Sequence, residues 1–433
     1  MGDDFDVIVV GAGLAGCAAA LRLARGGANV LLLERGAEAG TKNLSGGVLW
    51  GGDLDGILPE WRSQMPVERH VVRKRFGLLT EDRAFSASLS DPTWRTAPYV
   101  GYTVLRARTD AWMAQQAEAA GATVVTSVPV DGLAWDGTTA RGVIQGGERM
   151  SAPITLVCDG ANSRVSLGTP IRPRPRLEEA ATELGLKEVY RLDAATIEER
   201  FAVGPDEAHV EEWICGGFPP GVMGGGFLYT NRDTVSVGLI LQIASLKGSG
   251  THSYDLLERF KLHPAIAPRL AGGELIEYGA KLISSGWASR PAAFHGDGWM
   301  VCGDAAGFVY SNGLVIQGMN YALRSGLLAA ETALDALRAK DPSAARLAGY
   351  DARLEAAHVL ADFRDSHGLD QVKWNPRLYR EYPLALVDVL HYWSGEMGRN
   401  RPSFAGAARM ALRHGRVPLR TAVRDAFSMY SNL

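Results

Sequence analysis

The composition of this 433-residue chain, with 46% hydrophobic and 21% charged side chains, is that of a globular protein with room for two or three packed units. A formal net charge of -3 excludes the bulk basicity by which proteins bind nucleic acid non-specifically. No uninterrupted apolar stretch approaches the roughly 18 residues that a membrane-spanning helix requires, so we expect any membrane contact to be peripheral.

The cysteines are few and far apart, which excludes a CxxC-type metal or cluster motif and a dense disulfide framework. They are Cys17, Cys158, Cys215 and Cys302. The first apolar run, Val7 to Val10, is short and leads directly into a glycine turn, unlike a signal peptide. We therefore expect a cytoplasmic protein without a metal site, whose membrane contact, where it has one, lies on the inner face.

The first elements of the chain predict a parallel βαβ unit. A buried strand, FDVIVV, precedes a glycine turn and an Ala/Leu-rich helix, and a second strand, NVLLLERG, follows. The turn has the pattern GxGxxG at Gly11, Gly13 and Gly16, which permits close approach of backbone to a pyrophosphate at the helix N-terminus. Glu34 ends the second strand, where its carboxylate can accept hydrogen bonds from a ribose diol. The unit is predicted to bind NAD or FAD.

Further along the chain, strands of a second sheet alternate with returns to the first domain. Short alternating runs from Val71 to Pro98 predict another sheet, and a strand, a helix from about Thr109 to Ala120 and a further strand predict a return. The segment ITLVCDGANS predicts a second return. The β-rich runs from Pro170 to Ala293, with one helix near Tyr254 to Lys261, predict a substrate domain.

The motif CGDAAG, Cys302 to Gly307, follows the strand WMV and distinguishes FAD from NAD. Asp304 at the strand end can bind ribityl hydroxyls, and the N-terminus of the next, long helix, at about Gly313 to Gly318, can face the flavin pyrimidine edge. A helix-capping aspartate is the alternative role for Asp304. The segment GVMGGG, Gly221 to Gly226, lacks the strand-to-helix context of a second dinucleotide fold, so no resident nicotinamide domain is expected.

The predicted fold class is α/β, with α+β character in the second domain. It comprises a discontinuous Rossmann-like FAD-binding domain, an inserted antiparallel-sheet substrate domain and a helical C-terminal region. The predicted boundaries are 1–70, 100–168 and 294–340 for the FAD-binding domain, 71–99 and 169–293 for the substrate or quinone domain, and 341–433 for the helical region.

Five segments together resemble the FixC-like electron-transfer flavoprotein-quinone oxidoreductases, within the wider group of geranylgeranyl reductases and aromatic hydroxylases. They are KNLSGG at 42–47, VLRARTDAWM around Arg106, CDGANSRV around Asp159, GGGFLYTN at 224–231, and CGDAAG. The resemblance runs from the first strand nearly to the C-terminus. It implies that Arg106 contacts the FAD phosphate region and that Asp159 and Gly160 lie near the FAD-binding cleft. It also implies that residues 224–229 form the wall over the isoalloxazine.

The residue types by themselves leave these roles open. Arg106 can pair with phosphate or be a solvated arginine before a helix. Asp159 and Ser163 can instead shape a loop through Asx and Ser turns, and three successive glycines can mark a bulge instead of a flat ring's approach. The predicted cofactor-binding residues are Gly11, Gly13, Ala15, Gly16, Glu34, Arg35, Lys42, Gly46, Gly47, Arg106, Asp159, Gly160, Gly303, Asp304, Gly313, Gly318 and Met319.

Two departures from the resembled family bear on function. The family has an arginine and an aspartate where this chain has Gln317 and Asn320, which puts the flavin potential or the identity of the acceptor in question. Single-chain relatives bind a four-iron cluster through C-terminal cysteines, whereas no cysteine follows Cys302 here. The resemblance therefore implies a separate ferredoxin-like partner subunit.

The function expected from the resemblance is electron transfer from an electron-transfer flavoprotein to a quinone, with FAD as the redox group. We assign no catalytic residue, because the flavin performs the chemistry. The alternative is a stand-alone flavoenzyme that oxidises or reduces a small-molecule or prenyl substrate. An aromatic hydroxylase ranks third, and a non-catalytic scaffold is disfavoured because the phosphate, ribose and ribityl positions all have suitable side chains.

Overall fold

The computed structural model describes residues 3–43, 47–97, 100–284, 286–395, 402–415 and 417–431. Twenty strands lie within these ranges, in chain order β1 (Val7–Val10), β2 (Val30–Leu33), β3 (Gly47–Trp50), β4 (Val67–Leu79), β5 (Ala84–Ser90), β6 (Gly101–Val104), β7 (Thr123–Val125), β8 (Gly132–Asp136), β9 (Thr139–Gln145), β10 (Glu148–Met150), β11 (Ile154–Val157), β12 (Thr182–Arg191), β13 (Glu207–Cys215), β14 (Gly224–Thr230), β15 (Thr234–Gln242), β16 (Glu274–Ser284), β17 (His295–Gly296), β18 (Trp299–Val301), β19 (Tyr310–Ser311) and β20 (Ile316–Gln317).

The same ranges contain fifteen α-helices, joined in places by short 3-10 helices. They are α1 (Leu14–Arg25), α2 (Trp61–Gln64), α3 (Arg106–Ala119), α4 (Ala194–Phe201), α5 (Ile243–Ser249), α6 (Ser253–Leu262), α7 (Ala267–Leu270), α8 (Met319–Ala339), α9 (Ala344–Leu347), α10 (Gly349–Ala356), α11 (Val359–Asp365), α12 (His367–Val372), α13 (Glu381–Ser394), α14 (Phe404–His414) and α15 (Leu419–Ser431).

The first sheet is a Rossmann-type layer with the strand order β17-β18-β11-β1-β2-β7. Its pairs are parallel except for β17 with β18. The central strands are apolar throughout because helices cover them, and Val9 in β1 lies opposite Leu32 in β2 and Leu156 in β11. Helix α1 packs against both α3 and α8. The four strands β1, β11, β18 and β2 end at the same edge, which places the following turns together.

The second sheet has nine strands, in the order β16-β12-β15-β14-β13-β4-β6-β3, with β5 paired to β4. All its pairs are antiparallel except β13 with β4. One face is apolar and packs against α4, α6 and α7 through a buried cluster that includes Leu228, Val237 and Leu239. The opposite face has Phe227, Tyr229 and Glu212, and it forms one wall of a cavity.

Strand β6 and strand β3 belong to this second sheet, although both lie within segments that the sequence assigned to the FAD-binding domain. The sequence reading of β6 as a return to the first sheet was wrong: the chain returns only with β7, after α3. The error has a physical cause, since a short apolar run fits a buried strand of either sheet equally well. The domain boundaries themselves stay a prediction.

The C-terminal region is helical, and the fold class is α/β as expected. Helices α9 and α10 pack on α8, and their Leu347, Tyr350 and Leu354 join the core of the first sheet. Helices α13 and α14 pack against each other. Pro383 does not interrupt the region, because it lies in the first turn of α13, where a proline costs no hydrogen bond. A small three-stranded sheet of β8, β9 and β10 completes the fold.

Candidate cofactor and substrate cavity

A cavity of about 850 Å³ runs between the two sheets, from the glycine turn after β1 to the face of the nine-stranded sheet that has Phe227, Tyr229 and Glu212. Gly11 has φ of 102°, and a Cβ there would lie 2.5 Å from the Cys158 carbonyl oxygen. A Cβ on Gly16 would lie 1.9 Å from the Gly11 carbonyl oxygen, so glycine is required at both positions. Gly13 precedes α1 without a capping side chain, which leaves the helix N-terminus accessible to an anion from the cavity.

Glu34 lies at the end of β2 with its carboxylate fixed in place. Its Oε2 accepts a hydrogen bond of 3.0 Å from the Ala12 amide, and its Oε1 accepts one of 2.7 Å from the Gly36 amide. Each oxygen retains a lone pair for a further donor, and the residue lines the cavity. This arrangement fits a ribose diol beside the glycine turn.

Arg106 begins helix α3 beside the glycine turn and forms a bidentate ion pair with Asp110. Its Nε and Nη2 each donate to Asp110 at 2.9 Å, and Asp110 is completely buried. Burial alone would lower the pKa of Arg106, but the Asp110 carboxylate outweighs it and raises the pKa. A Cβ on Gly13 would lie 3.9 Å from Nη2, so this cation is held next to the N-terminus of α1. The geometry favours the phosphate role over that of a solvated arginine.

Asn43 and Lys281 connect the two sheets across the cavity. Lys281, from β16, donates a hydrogen bond of 2.7 Å to Asn43 Oδ1, while Asn43 Nδ2 donates to Asp110. Burial lowers the pKa of Lys281, and its ammonium lies 3.8 Å from the Asp304 carboxylate. Asp304 lines the cavity and sits near Gly318, where a Cβ would be 3.6 Å from its Oδ1. Among the helices of the described residues none has Asp304 as its N-cap, and the N-cap of the 3-10 helix that contains it is Cys302.

Asp159 follows β11, and only one of its two carboxylate oxygens has a hydrogen-bond partner among the described residues. Its Oδ2 accepts a 3.0 Å hydrogen bond from the Val165 amide, so it does shape the loop. Its buried Oδ1 has no hydrogen-bond partner among the described residues. Burial raises the pKa of Asp159 to about 6. A hydroxyl-rich ligand in the cavity would satisfy this oxygen.

The N-terminus of α8 closes the cavity at the end next to β20. Helix α8 begins at Met319, and its N-cap, Gly318, lines the cavity together with Gln317. The sequence placed Gly313 at this helix terminus, and that prediction was wrong. Gly313 lies in the loop between β19 and β20, where it lines a smaller cavity. Asn320 is not among the lining residues.

Side chains of the second sheet face this end of the cavity. Phe227 and Tyr229 stack with their ring centroids 5.0 Å apart. Trp50 lies beside Lys74, whose ammonium is 5.6 Å from the indole ring centroid. A smaller cavity of about 60 Å³ adjoins, and residues 224–226 and Tyr379 line it.

The cavity brings together most of the residues predicted from sequence. Those that line it are Gly11, Gly13, Ala15, Glu34, Arg35, Lys42, Gly47, Arg106, Asp159, Gly160, Asp304, Gly318 and Met319. Gly16 and Gly303 pack behind it, Gly303 against Ala15 and Ala322, and Gly46 lies outside the described residues. Several polar and aromatic lining residues were not predicted from the sequence, among them Asn43, Trp50, Lys74, Glu212 and Lys281. Of these five, only Asn43 could have been found from the sequence, because it lies within the segment KNLSGG.

These residues fit FAD. An uncapped helix N-terminus beside a half-buried arginine suits the pyrophosphate, and the Asp159 oxygen without a partner among the described residues suits a hydroxyl-rich chain. FAD, when bound, supplies two-electron redox chemistry that no side chain provides. No group of three or more His, Cys, Asp or Glu residues suited to a metal is found in the described part of the chain. Within the same part, no helix is long and apolar enough to cross a membrane.

Two protein families match segments of the chain. The family described as FAD dependent oxidoreductase matches residues 6–85, which include the glycine turn and Glu34. The family described as ETF-QO, ubiquinone-binding matches residues 182–283, which form β12 to β15 and most of β16. Both segments contribute walls to the cavity.

Solved structures of flavoenzymes share the fold. A geranylgeranyl bacteriochlorophyll reductase-like protein from Thermoplasma acidophilum aligns with a TM-score of 0.71 and 20% identity, over 98% of this chain and 99% of that one. A flavin-dependent brominase aligns with a TM-score of 0.61 and 15% identity, over 95% and 99%. At these identities the likeness is one of fold.

Curated relatives match at much higher identity. The probable electron transfer flavoprotein-quinone oxidoreductase YdiS of Escherichia coli K12 is 38% identical over 390 residues, 90% of each chain. FixC of Salmonella typhi is 37% identical over 388 residues, 89% of this chain and 90% of that one. FixC of Azotobacter vinelandii is 36% identical over 88% of each. With these matches and the cavity described above, the chain belongs to the FixC family of electron transfer flavoprotein-quinone oxidoreductases and is an FAD-dependent oxidoreductase.

Proposed function

We propose that this protein takes electrons from an electron-transfer flavoprotein and passes them as a pair to a quinone. One observation carries the proposal: the segment that matches the ubiquinone-binding family, residues 182–283, forms a wall of the same cavity that the glycine turn opens. A quinone on that wall would share the cavity with the flavin ring, as direct electron transfer between them requires.

The cofactor contacts that we propose follow the cavity from one end to the other. The N-terminus of α1 and Arg106 bind the pyrophosphate, and Glu34 binds the adenosine ribose. Asp304 and Asp159 accept hydrogen bonds from hydroxyl groups of the cofactor, and the N-terminus of α8 at Gly318 faces the pyrimidine edge. Lys281 and Asn43 hold these elements at a fixed separation through the hydrogen bond between them.

Phe227 and Tyr229 are proposed to form the surface against which the flavin and the acceptor lie. Both belong to β14, the strand that begins with three glycines. Gly224 and Gly225 have no side chains to fill the smaller cavity beside them, and backbone or side-chain atoms within 2.7 Å exclude a Cβ at either position. The glycines therefore serve close packing of the strand, and they leave the ring face of β14 open.

Anaerobic mixing tests the proposal. The purified holoprotein is combined with a reduced electron-transfer flavoprotein and then with a short-chain quinone, while the FAD absorbance is recorded. We expect the FAD to be reduced by the first partner and reoxidised by the second. The same protein stripped of FAD by acid precipitation is the control. FAD that stays oxidised on mixing with the donor would overturn the proposal.

We further propose a ferredoxin-like partner subunit and a peripheral contact with a membrane. The partner subunit is proposed because the chain has no cysteine after Cys302 to hold a cluster of its own.

The membrane contact is proposed for helix α15. This helix has a row of exposed apolar side chains at helical spacing, among them Val423 at 60% exposure and Phe427 at 70%, with Arg420 and Arg424 on the same helix. Sedimentation with anionic lipid vesicles, compared between the parent and Phe427→Ser, tests the membrane contact.

A second candidate is a stand-alone flavoenzyme acting on a small organic substrate. It is favoured by Gln317, which lines the cavity where the resembled family has an arginine. The two functions differ in what the isolated chain does: reduction of the FAD by NAD(P)H and reoxidation by oxygen, without a protein donor, supports the second one.

A further inference from the structure

Glu212, in β13, is a buried carboxylate on the cavity wall that no role described above uses. The residue is only 8% exposed. Its Oε1 lies 4.0 Å from the Lys74 ammonium, beyond hydrogen-bond distance, and its buried Oε2 has no hydrogen-bond partner among the described residues. An ionised carboxylate that is buried without a hydrogen-bond partner destabilises the folded state unless it is protonated or binds a ligand.

Glu212 lies beside the aromatic residues that are proposed to contact the acceptor. Glu212 lines both the large cavity and the smaller one behind it, so it lies where the two meet. Phe227 and Tyr229 also line both. All three residues lie within 182–283, the segment that matches the ubiquinone-binding family.

We infer that Glu212 donates a proton to the acceptor as it is reduced, with Lys74 as the counter-ion of the carboxylate that remains. The inference rests on the proposed function and adds to it a residue that handles protons. It places Glu212 in contact with the acceptor quinone, whose ring lies against Phe227 and Tyr229.

The proton and electron balance is as follows. Reduction of a quinone to a hydroquinone adds two electrons and two protons to its two carbonyl oxygens. The two electrons would be supplied by reduced FAD, whose own protons would be released to solvent. One proton comes from the Glu212 carboxyl group, whose O–H bond breaks as the O–H bond on the quinone forms, and the other comes from solvent. The Glu212 carboxylate is then paired with the Lys74 ammonium until it takes a proton back from solvent.

The ionisation of Glu212 is suited to this step. Burial raises the pKa of Glu212 to about 7, although Lys74 opposes the rise. A group with its pKa near the working pH serves best in proton transfer. Within the described residues, the charged or titratable groups that interact with it are Lys74 from β4 and Tyr229 from β14, and burial raises the pKa of Tyr229 well above its usual value. Glu183 of β12 and Tyr379 lie further along the smaller cavity.

A comparison of two acceptors tests the inference. A quinone needs protons to be reduced, whereas ferricenium takes one electron and no proton. In Glu212→Gln, we expect the rate of quinone reduction to fall by about a hundredfold. The rates of FAD reduction by the protein donor and of ferricenium reduction should stay at parent values. Glu148→Gln, which removes an exposed carboxylate of the three-stranded sheet, is the control and should match the parent with both acceptors.

A measurement without turnover provides an independent readout. Infrared difference spectra of the oxidised holoprotein between pH 5 and pH 9 should show a protonated carboxyl band in the parent that Glu212→Gln lacks and Glu148→Gln retains. Lys74→Met should shift the midpoint of that band to higher pH, because the opposing cation is gone.

The outcomes separate this inference from the proposed function. Quinone reduction by Glu212→Gln at the parent rate, or an unchanged infrared band in that variant, would overturn the inference alone. Failure of the parent itself to reduce quinone, while it still reduces ferricenium, would overturn the proposed function and the inference together.

Discussion

Glu34 is the residue for which sequence and structure make the most direct prediction about cofactor affinity. Replacement by alanine removes the acceptor proposed for the adenosine ribose, and hydrogen bonds to a charged acceptor contribute roughly 1.5 to 3 kcal/mol. We expect FAD to bind about tenfold to hundredfold more weakly. The measurement is an equilibrium titration of the stripped protein with FAD, followed by flavin fluorescence.

Two further variants make the Glu34 experiment specific. Glu38→Ala removes an exposed carboxylate four residues away that does not line the cavity, and it should bind FAD as the parent does. Glu34→Gln keeps an acceptor for the Gly36 amide and should fall between the parent and the alanine variant. Equal affinity in Glu34→Ala and the parent would show that the ribose lies elsewhere.

Gln317 is the second residue with a specific prediction. It lines the cavity directly before the N-cap of α8, so a charge there acts at short range. A cation near the pyrimidine edge stabilises the anionic reduced flavin, and Gln317→Arg should therefore have a more positive midpoint potential, with little change in FAD occupancy. Spectroelectrochemical titration of parent and variant at equal pH and ionic strength measures the shift. An unchanged potential would place the flavin ring away from Gln317.

Among the elements, the contact between helices α1 and α8 affects how closely the two helix termini that are proposed to bind the cofactor approach each other. Gly326 of α8 faces Ala15 of α1, and a Cβ on Gly326 would lie 2.2 Å from the Ala15 carbonyl oxygen. Because that atom belongs to the backbone, the helices would have to separate. The close approach of the two helices at this point therefore requires a glycine at position 326.

We expect Gly326→Ala to lower the free energy of unfolding by about 1 to 3 kcal/mol, as overpacking does. FAD affinity should fall with it, because both helix termini line the cofactor cavity. Gly248→Ala is the matched control, since Gly248 is an exposed helix residue of α5 with no atom within 4 Å of its Cβ position. It should stabilise slightly, because alanine favours helix. Chemical denaturation measures the free energy of unfolding of both variants. A Gly326→Ala variant as stable as the parent would contradict the close contact.

At the scale of the whole molecule, Asp425 of α15 anchors the end of the chain. Its carboxylate accepts hydrogen bonds from Arg377 at 2.6 and 3.0 Å, from the Tyr382 hydroxyl at 2.7 Å and from Asn375 at 3.0 Å. The hydrogen bonds from Arg377, followed by those from Tyr382 and Asn375, hold the pKa of Asp425 well below its usual value.

A carboxylate whose pKa is lowered in the folded state stabilises that state above the pKa of the unfolded chain, and the stabilisation is lost as pH falls. The anchor should therefore be complete at neutral pH and weaken below about pH 4, the usual pKa of an aspartate. At pH 7, Asp425→Asn should lack the stabilisation that the carboxylate provides, as the parent does at low pH. Trypsin should therefore cut this variant faster than the parent at Arg420 and Arg424. The control Asp255→Asn changes an exposed aspartate of α6 and should be cut as slowly as the parent. Equal rates for all three proteins would contradict the anchor.

Much of the cofactor half was predictable from the sequence because its signals are local. The glycines of the first turn, Glu34 at a strand end and Asp304 after β18 each depend on neighbours within a few residues, and the cavity brings them together. The parallel strands explain why, since turns after adjacent parallel strands meet at one edge of a sheet.

The acceptor half was decided only by tertiary structure. Lys74 and Glu212 lie 138 positions apart in the chain and meet because β4 and β13 pair in parallel, a pairing that strand patterns do not specify. Lys281 reaches Asn43 only because β16 forms part of the cavity wall. For the same reason β6, apolar like a strand of the first sheet, was placed in the wrong one. Local spacing in the sequence determined which residues are proposed to bind phosphate and ribose, whereas the burial and pairing of distant charges depend on which strands become neighbours.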